Sequence, residues 1–158
     1  MKVLGFALAI LLGHAGSAAA EMDRDRLVGS WSLVAYQLTY ESEPPRDIFG
    51  SRPTGRIILT ADGRMAAVIA AEGRTPATND TERAALLQAT IAYTGRYRLE
   101  GDRFVTRVDT AWNKTWEGTE QARDFRLDGD RLFIEARGTD PSRQGAPWVA
   151  RLTWQREK

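Results

Sequence analysis

Apolar side chains in this chain recur at every second position within short blocks, and Gly/Asp pairs separate the blocks. A repeat of two places alternate side chains on opposite faces of a strand, so the pattern predicts many short half-buried strands. Val28 to Tyr40 reads as a long first strand, weighted by Val28, Trp31, Leu33, Val34, Tyr36 and Leu38. Glu41 to Pro53 contains Pro44-Pro45, Gly50 and Pro53 and reads as a loop. Thr54 to Ala61 and Arg64 to Ala70 are the second and third strands, joined by Asp62-Gly63. This is the strongest hairpin signal in the chain, because the turn needs positive φ and glycine supplies it. Past an irregular stretch, Asn79 with Glu82 three residues on forms a capping-box pattern. Ala84, Leu87 and Ile91 then recur at helical spacing, predicting a short helix from about Asp80 to Ala89 across one mouth of the fold.

Five further strands follow: Tyr93 to Leu99, Arg103 to Ala111, Gly118 to Leu127, Arg131 to Arg137 and Trp148 to Arg156. Gly101-Asp102 and Asp128-Gly129-Asp130 turn the chain, and a Trp-bearing loop, Trp112 to Trp116, lies between. Tyr93, Gly95, Tyr97 and Leu99 share one face; so do Phe104, Thr106, Val108 and Thr110, and so do Gln121, Arg123, Phe125 and Leu127. The fold class expected is all-β: an eight-stranded antiparallel up-and-down β-barrel with one short helix between the third and fourth strands. A β-sandwich is the alternative. Eight strands close into a barrel that either fills with side chains or holds one small ligand.

Composition narrows the chemistry. Lys2, the apolar run Val3 to Leu12 and Ala18-Ala19-Ala20 form the pattern of a secretory signal peptide, residues 1–20, leaving 21–158 as one domain. The expected location is therefore periplasmic or secreted. The apolar run is too short to span a bilayer, which takes about 20 residues, and without cysteine there is neither a lipid anchor on cysteine nor a disulfide. The single histidine, His14, leaves with the leader. A mature chain without His or Cys has no Ser-His-Asp or Cys-His nucleophile, no thiolate and none of the common zinc sites, so neither metal nor cofactor is expected. Acids and bases balance in the mature chain and interleave along it, without the basic stripe of a nucleic-acid binder. A monomer or weak dimer, with a small hydrophobic molecule as its partner, is expected.

Candidate residues follow from face and type. Trp31 can plug one end of the barrel and pack against Arg156 by a cation–π contact, with Gly29 allowing the tight bend before it. Trp112 and Trp116 are costly to expose; they fold over the rim as a lid, cap the core, or form a partner patch. Tyr93 and Tyr97 are either an aromatic wall with hydroxyls for a ligand or two core tyrosines. Gln121 and Arg123 carry an amide and a guanidinium inward if their face is the inner one, where the arginine needs Asp109, Glu120, Asp124 or a ligand carboxylate. Asp109 and Glu120 flank the Trp loop and are the best acid–base pair available without histidine. Asn79-Asp80-Thr81 and Asn113-Lys114-Thr115 match the glycosylation acceptor pattern, which matters only in a eukaryotic host.

Several segments in order, Leu27-Val28-Gly29-Ser30-Trp31-Ser32-Leu33, Gly55 to Met65, Ile91 to Tyr97, Trp116 to Gln121 with Arg123 and Phe125, and Leu152 to Arg156, resemble the bacterial and fungal lipocalin-like domain family. The resemblance spans nearly the whole mature chain. It implies a lipocalin-like barrel binding a small apolar molecule; some relatives act on such molecules in secondary-metabolite pathways. Members often carry histidine in the strand where this chain has Thr106 and Arg107, so chemistry resting on that histidine is not expected here. The expected function is an exported protein binding a small hydrophobic or amphipathic ligand in the barrel. Tyr93, Tyr97, Trp112, Trp116, Gln121 and Arg123 are its candidate contacts, and Gly29, Trp31 and Arg156 are structural. One rival is an isomerase, cyclase or hydratase using Tyr93 or Tyr97 with Asp109 or Glu120. Another is a filled barrel serving as an envelope interaction module.

Overall fold

The computed structural model describes residues 24–41 and 43–158; the expected leader lies outside the described residues. Nine strands form one antiparallel sheet: β1 (Gly29–Tyr40), β2 (Arg46–Asp47), β3 (Thr54–Leu59), β4 (Arg64–Ala70), β5 (Thr90–Glu100), β6 (Arg103–Ala111), β7 (Glu120–Asp128), β8 (Arg131–Asp140) and β9 (Ala146–Arg156). Neighbours in sequence pair along the sheet from β3 to β9, and β1 pairs with both β3 and β9. Eight long strands thus close into an up-and-down barrel. The ninth, β2, is a two-residue addition on the outer part of β1 (Gln37 opposite Asp47), inside the segment expected to be all loop. Two residues carry no alternation to read, and their presence moves the helix α1 (Asp80–Gln88) to between β4 and β5 rather than between the third and fourth strands.

The hairpin turns set the two ends. Short turns join β3 to β4, β5 to β6 and β7 to β8, all at one end, where Gly63, Gly101 and Gly129 take positive φ. The longer connections, 41–53, 71–89, 112–119 and 141–145, all leave from the other end. Helix α1 sits there, with Asn79 accepting a hydrogen bond from Glu82 N (2.9 Å) as the capping pattern requires. It buries none of its residues, and Leu87 is 56 % exposed. The spacing of Ala84, Leu87 and Ile91 therefore does not mark a core face, because Ile91 belongs to β5.

Two bulges control which residues face inward. In β1 the pairing with β9 slips between Leu33 and Ala35, leaving Val34 outside, 45 % exposed. Beyond the slip, Tyr36, Leu38 and Tyr40 continue inward, opposite Leu152, Ala150 and Trp148. In β6 the register with β5 slips between Thr94 and Gly95, so Gly95 faces Val108 while Thr94 faces Thr110. Thr110 thereby leaves the face it was expected to share with Phe104, Thr106 and Val108. An extra residue in one strand shifts the phase of everything after it. Glycine is required at the slip: a Cβ on Gly95 would stand 2.2 Å from the Arg107 carbonyl oxygen.

The core fills the short-turn end. Trp31 is fully buried and its Nε1 donates to Leu27 O at 2.9 Å, which ties the helical turn at 24–27 under the barrel. The Arg156 guanidinium lies 4.0 Å from the Trp31 ring centroid and donates to the carbonyls of Val28 and Arg26. Gly29, at φ +135°, has a conformation that disfavours any side chain, and a Cβ there would meet Arg156 Nη1 at 3.0 Å. Tyr97 stacks on Phe104 with ring centroids 5.1 Å apart, and its hydroxyl donates to Thr60 O at 2.9 Å.

Past the end of β9, Glu157 accepts hydrogen bonds from Ser30 and Ser32 of β1 and pairs with Arg56 of β3. These donors hold its carboxyl down to about 2, first through Arg56 and then through the serines. A carboxyl depressed in the folded state stabilises above its unfolded pKa, and that stabilisation fades as pH falls toward the folded value. Glu157→Gln is expected to lower Tm by a few degrees at pH 7, with the gap to wild type closing between about pH 4.5 and 2. Thermal unfolding across that range checks it; a gap independent of pH would show that the carboxylate charge is not what holds the seam.

Candidate functional site

Above the core, toward the long-loop end, the barrel encloses a cavity of about 260 Å³. Trp154 on β9, Ile57 on β3 and Phe104 on β6 lie on its core side. Three inward alanines, Ala67, Ala136 and Ala150, make the room, and Ala136 and Ala150 stand directly opposite each other across β8 and β9. Apart from Arg123, the wall is otherwise Ile, Leu and aromatic side chains, so water inside it would find few partners.

The Trp loop closes over one side of the mouth. Trp112 N donates to Ala92 O (2.7 Å), extending the β5–β6 ladder by one residue. The chain then makes a single 3₁₀ turn, Lys114–Trp116, capped by Asn113, whose side chain accepts from Thr115 N at 3.1 Å. This turn brings Trp116 back over the barrel: it meets Trp112 edge-on at 4.8 Å and Tyr93 edge-on at 5.4 Å. Both tryptophans line the cavity and are half-buried. Asn79 and Asn113, the two residues of the glycosylation pattern, both serve as helix caps.

Polar side chains reach the cavity from separate strands, Tyr36 from β1, Tyr93 from β5 and Arg123 from β7. Among the described residues, Arg123 of β7 is the one charged side chain lining the cavity. Its guanidinium donates to Ala122 O (2.8 Å) and Gln121 Oε1 (3.0 Å) and lies 5.6 Å from the Trp116 ring centroid. No carboxylate among the described residues pairs with it. The acids expected to serve it are engaged elsewhere: Asp109 with Arg64 (3.0 Å), Glu120 with Arg98 (2.7 Å) and Asp124 with Arg137 (3.1 Å). The Tyr36 and Tyr93 phenols share the cavity with it, and neither hydroxyl has a hydrogen-bond partner among the described residues. Burial pushes both phenols above the ordinary tyrosine value, with the Arg123 charge opposing the rise. Both therefore stay protonated at neutral pH and available as donors. On the core side, Trp154 is 1 % exposed and its Nε1–H also lacks an acceptor among the described residues. A buried donor left unpaired costs about 1–3 kcal/mol.

Of the residues singled out from sequence, the structure brings Tyr93, Trp112, Trp116 and Arg123 together around the cavity. Gln121 supports from behind, bridging Arg123 and Thr119 Oγ1 (3.0 Å). Tyr97 shares the inward face of Tyr93 but sits in the core at the opposite end, so it is no part of the cavity wall. Asp109 and Glu120 lie in half-exposed ion pairs, away from the cavity lining, and so do not meet either tyrosine as an acid–base pair. Helix α1, at the long-loop end, contributes no residue to the lining. Thr106 faces inward without reaching the cavity, while Arg107 stands on the outer face between Arg96 and Glu120. Sequence reasoning missed Tyr36, Trp148 and Trp154 as lining residues; the aromatic spacing Trp148-x₅-Trp154 on one strand face was the available signal for two of them. Among the described residues no three acidic or histidine side chains gather as metal ligands would.

Known proteins add the following. The crystal structure of an uncharacterized protein from Bacteroides eggerthii is similar to this chain at 14 % identity and a TM-score of 0.39, covering 78 % of this chain and 97 % of that one. No curated protein matches. The model of the lipocalin-like domain family matches residues 28–157, which takes in every strand of the barrel and the whole cavity wall. The chain belongs to the lipocalin-like domain family.

Proposed function

We propose that this protein binds one small, mainly apolar molecule inside the barrel, entering from the long-loop end. The observation that carries this is the 260 Å³ space itself, walled by apolar side chains and floored by a packed core. A barrel filled by its own side chains would leave no such room. Burial of the ligand's apolar surface, at about 25 cal/mol per Å², supplies the affinity. Arg123 and the two phenols orient its polar end, and Trp112 with Trp116 shield one side. The leader pattern at the start of the chain supports action outside the cytoplasm.

Titration with 2-naphthol, a neutral bicyclic probe that accepts energy from tryptophan, tests the proposal. Four tryptophans line the cavity, Trp112, Trp116, Trp148 and Trp154, so saturable one-to-one quenching with sensitised probe emission is expected. Quenching that rises linearly without saturation overturns it.

A further inference from the structure

The polar groups of the cavity are incomplete, and what they lack describes the ligand. Arg123 is a planar guanidinium in an apolar cavity, half-buried, with its nearest acidic neighbours on β7 already held by Arg98 and Arg137. It satisfies part of its donors on neutral oxygens of its own strand, which leaves its charge uncompensated. Tyr36 and Tyr93 line the same cavity as Arg123, and their hydroxyls have no hydrogen-bond partner among the described residues. One cation flanked by two neutral donors suits a monoanion with two acceptor oxygens in one plane. A phosphate monoester, which brings about two negative charges at neutral pH, would leave one of them uncompensated in an apolar wall.

Arg123 is near the mouth end of β7. Size sets the span: a cavity of 150 Å³ takes benzene, so this one takes a molecule of about ten non-hydrogen atoms.

We infer that the ligand is a small carboxylic acid, its carboxylate between Arg123, Tyr36 and Tyr93 and its apolar tail toward the core. This rests on the cavity being the binding site. The ligand enters tail first, the apolar middle lies along Ala67, Ala136 and Ala150, and the charged head stays nearest the mouth.

Calorimetric titration of the whole protein with octanoate and octanamide tests the carboxylate head, with 2-naphthol as the neutral control. Wild type is expected to bind octanoate about tenfold or more tighter than octanamide, since a hydrogen bond to a charged group contributes more than one to a neutral group. Arg123→Met is expected to erase that preference. Equal binding of acid and amide, with 2-naphthol bound, overturns the carboxylate head and leaves the cavity proposal standing. Failure of 2-naphthol itself to bind overturns the cavity proposal and this inference with it.

Discussion

Trp31→Ala is expected to cost about 4 kcal/mol, a large part of the 5–15 kcal/mol that holds an ordinary domain together. Trp31 has no exposed surface, so the whole indole is replaced by a void between β1, β3 and β9. The loss exceeds simple transfer because three other groups depend on the ring. Leu27 O loses its donor, Arg156 loses the aromatic face it rests on, and the turn at 24–27 loses its tether. A fall in Tm of roughly 15 °C follows for a domain of this size. Thermal and urea unfolding of Trp31→Ala, with Trp31→Phe as the milder control, measure it. Pairing Trp31→Leu with Arg156→Met in a double-mutant cycle isolates the cation–π contact, expected at about 1 kcal/mol. If Trp31→Ala loses less than about 1 kcal/mol, the plug is not what secures this end of the barrel.

The second large effect concerns binding and leaves the fold intact. Ala136 and Ala150 face each other across β8 and β9 and both border the cavity. Ala136→Leu with Ala150→Leu adds six carbons, about the 150 Å³ that a benzene needs, to a space of 260 Å³. Binding of 2-naphthol and of octanoate is expected to weaken by about tenfold or more, because too little room remains for either. Tm is expected to hold or rise, since the new side chains fill empty volume and displace none of the core. Unchanged binding in a stable double variant would mean that the ligand sits outside the barrel.

Much of this was legible in the sequence, and what escaped did so for specific reasons. The Gly/Asp pairs at residues 62–63, 101–102 and 128–130 marked the short turns, and from them the antiparallel neighbours followed. Alternation in β5 and β7 correctly grouped Tyr93 with Tyr97 and Arg123 with Phe125 on inner faces. Alternation reports a face and carries nothing about height along the barrel, which is why Tyr93 and Tyr97 looked equivalent. The bulge at Val34 was hidden because Leu33 and Val34 are both apolar, and it is the bulge that turns Tyr36 inward to the cavity. The slip between β5 and β6 left its trace only as Gly95, whose need for a missing side chain appears once Arg107 lies against it. The helix was visible through its cap, Asn79 with Glu82, while its supposed apolar face borrowed Ile91 from the next strand. The cavity depends on three alanines that read as unremarkable strand residues until the barrel closes around them.

The β1–β9 seam also dictates an order of assembly. Leu33 is paired with Trp154, more than a hundred residues later, whereas every other long-strand pairing except that of β1 with β3 joins immediate neighbours. Hairpins can form as the chain emerges, but β1 keeps one open flank until the last strand is made. Closing so long a loop is slow, since its entropy is lost before the contacts form. The half-built sheet therefore exposes Tyr36, Ala67, Trp112 and Trp116 to water, and the same surfaces that later enclose a ligand are, until the final strand docks, the ones most prone to self-association.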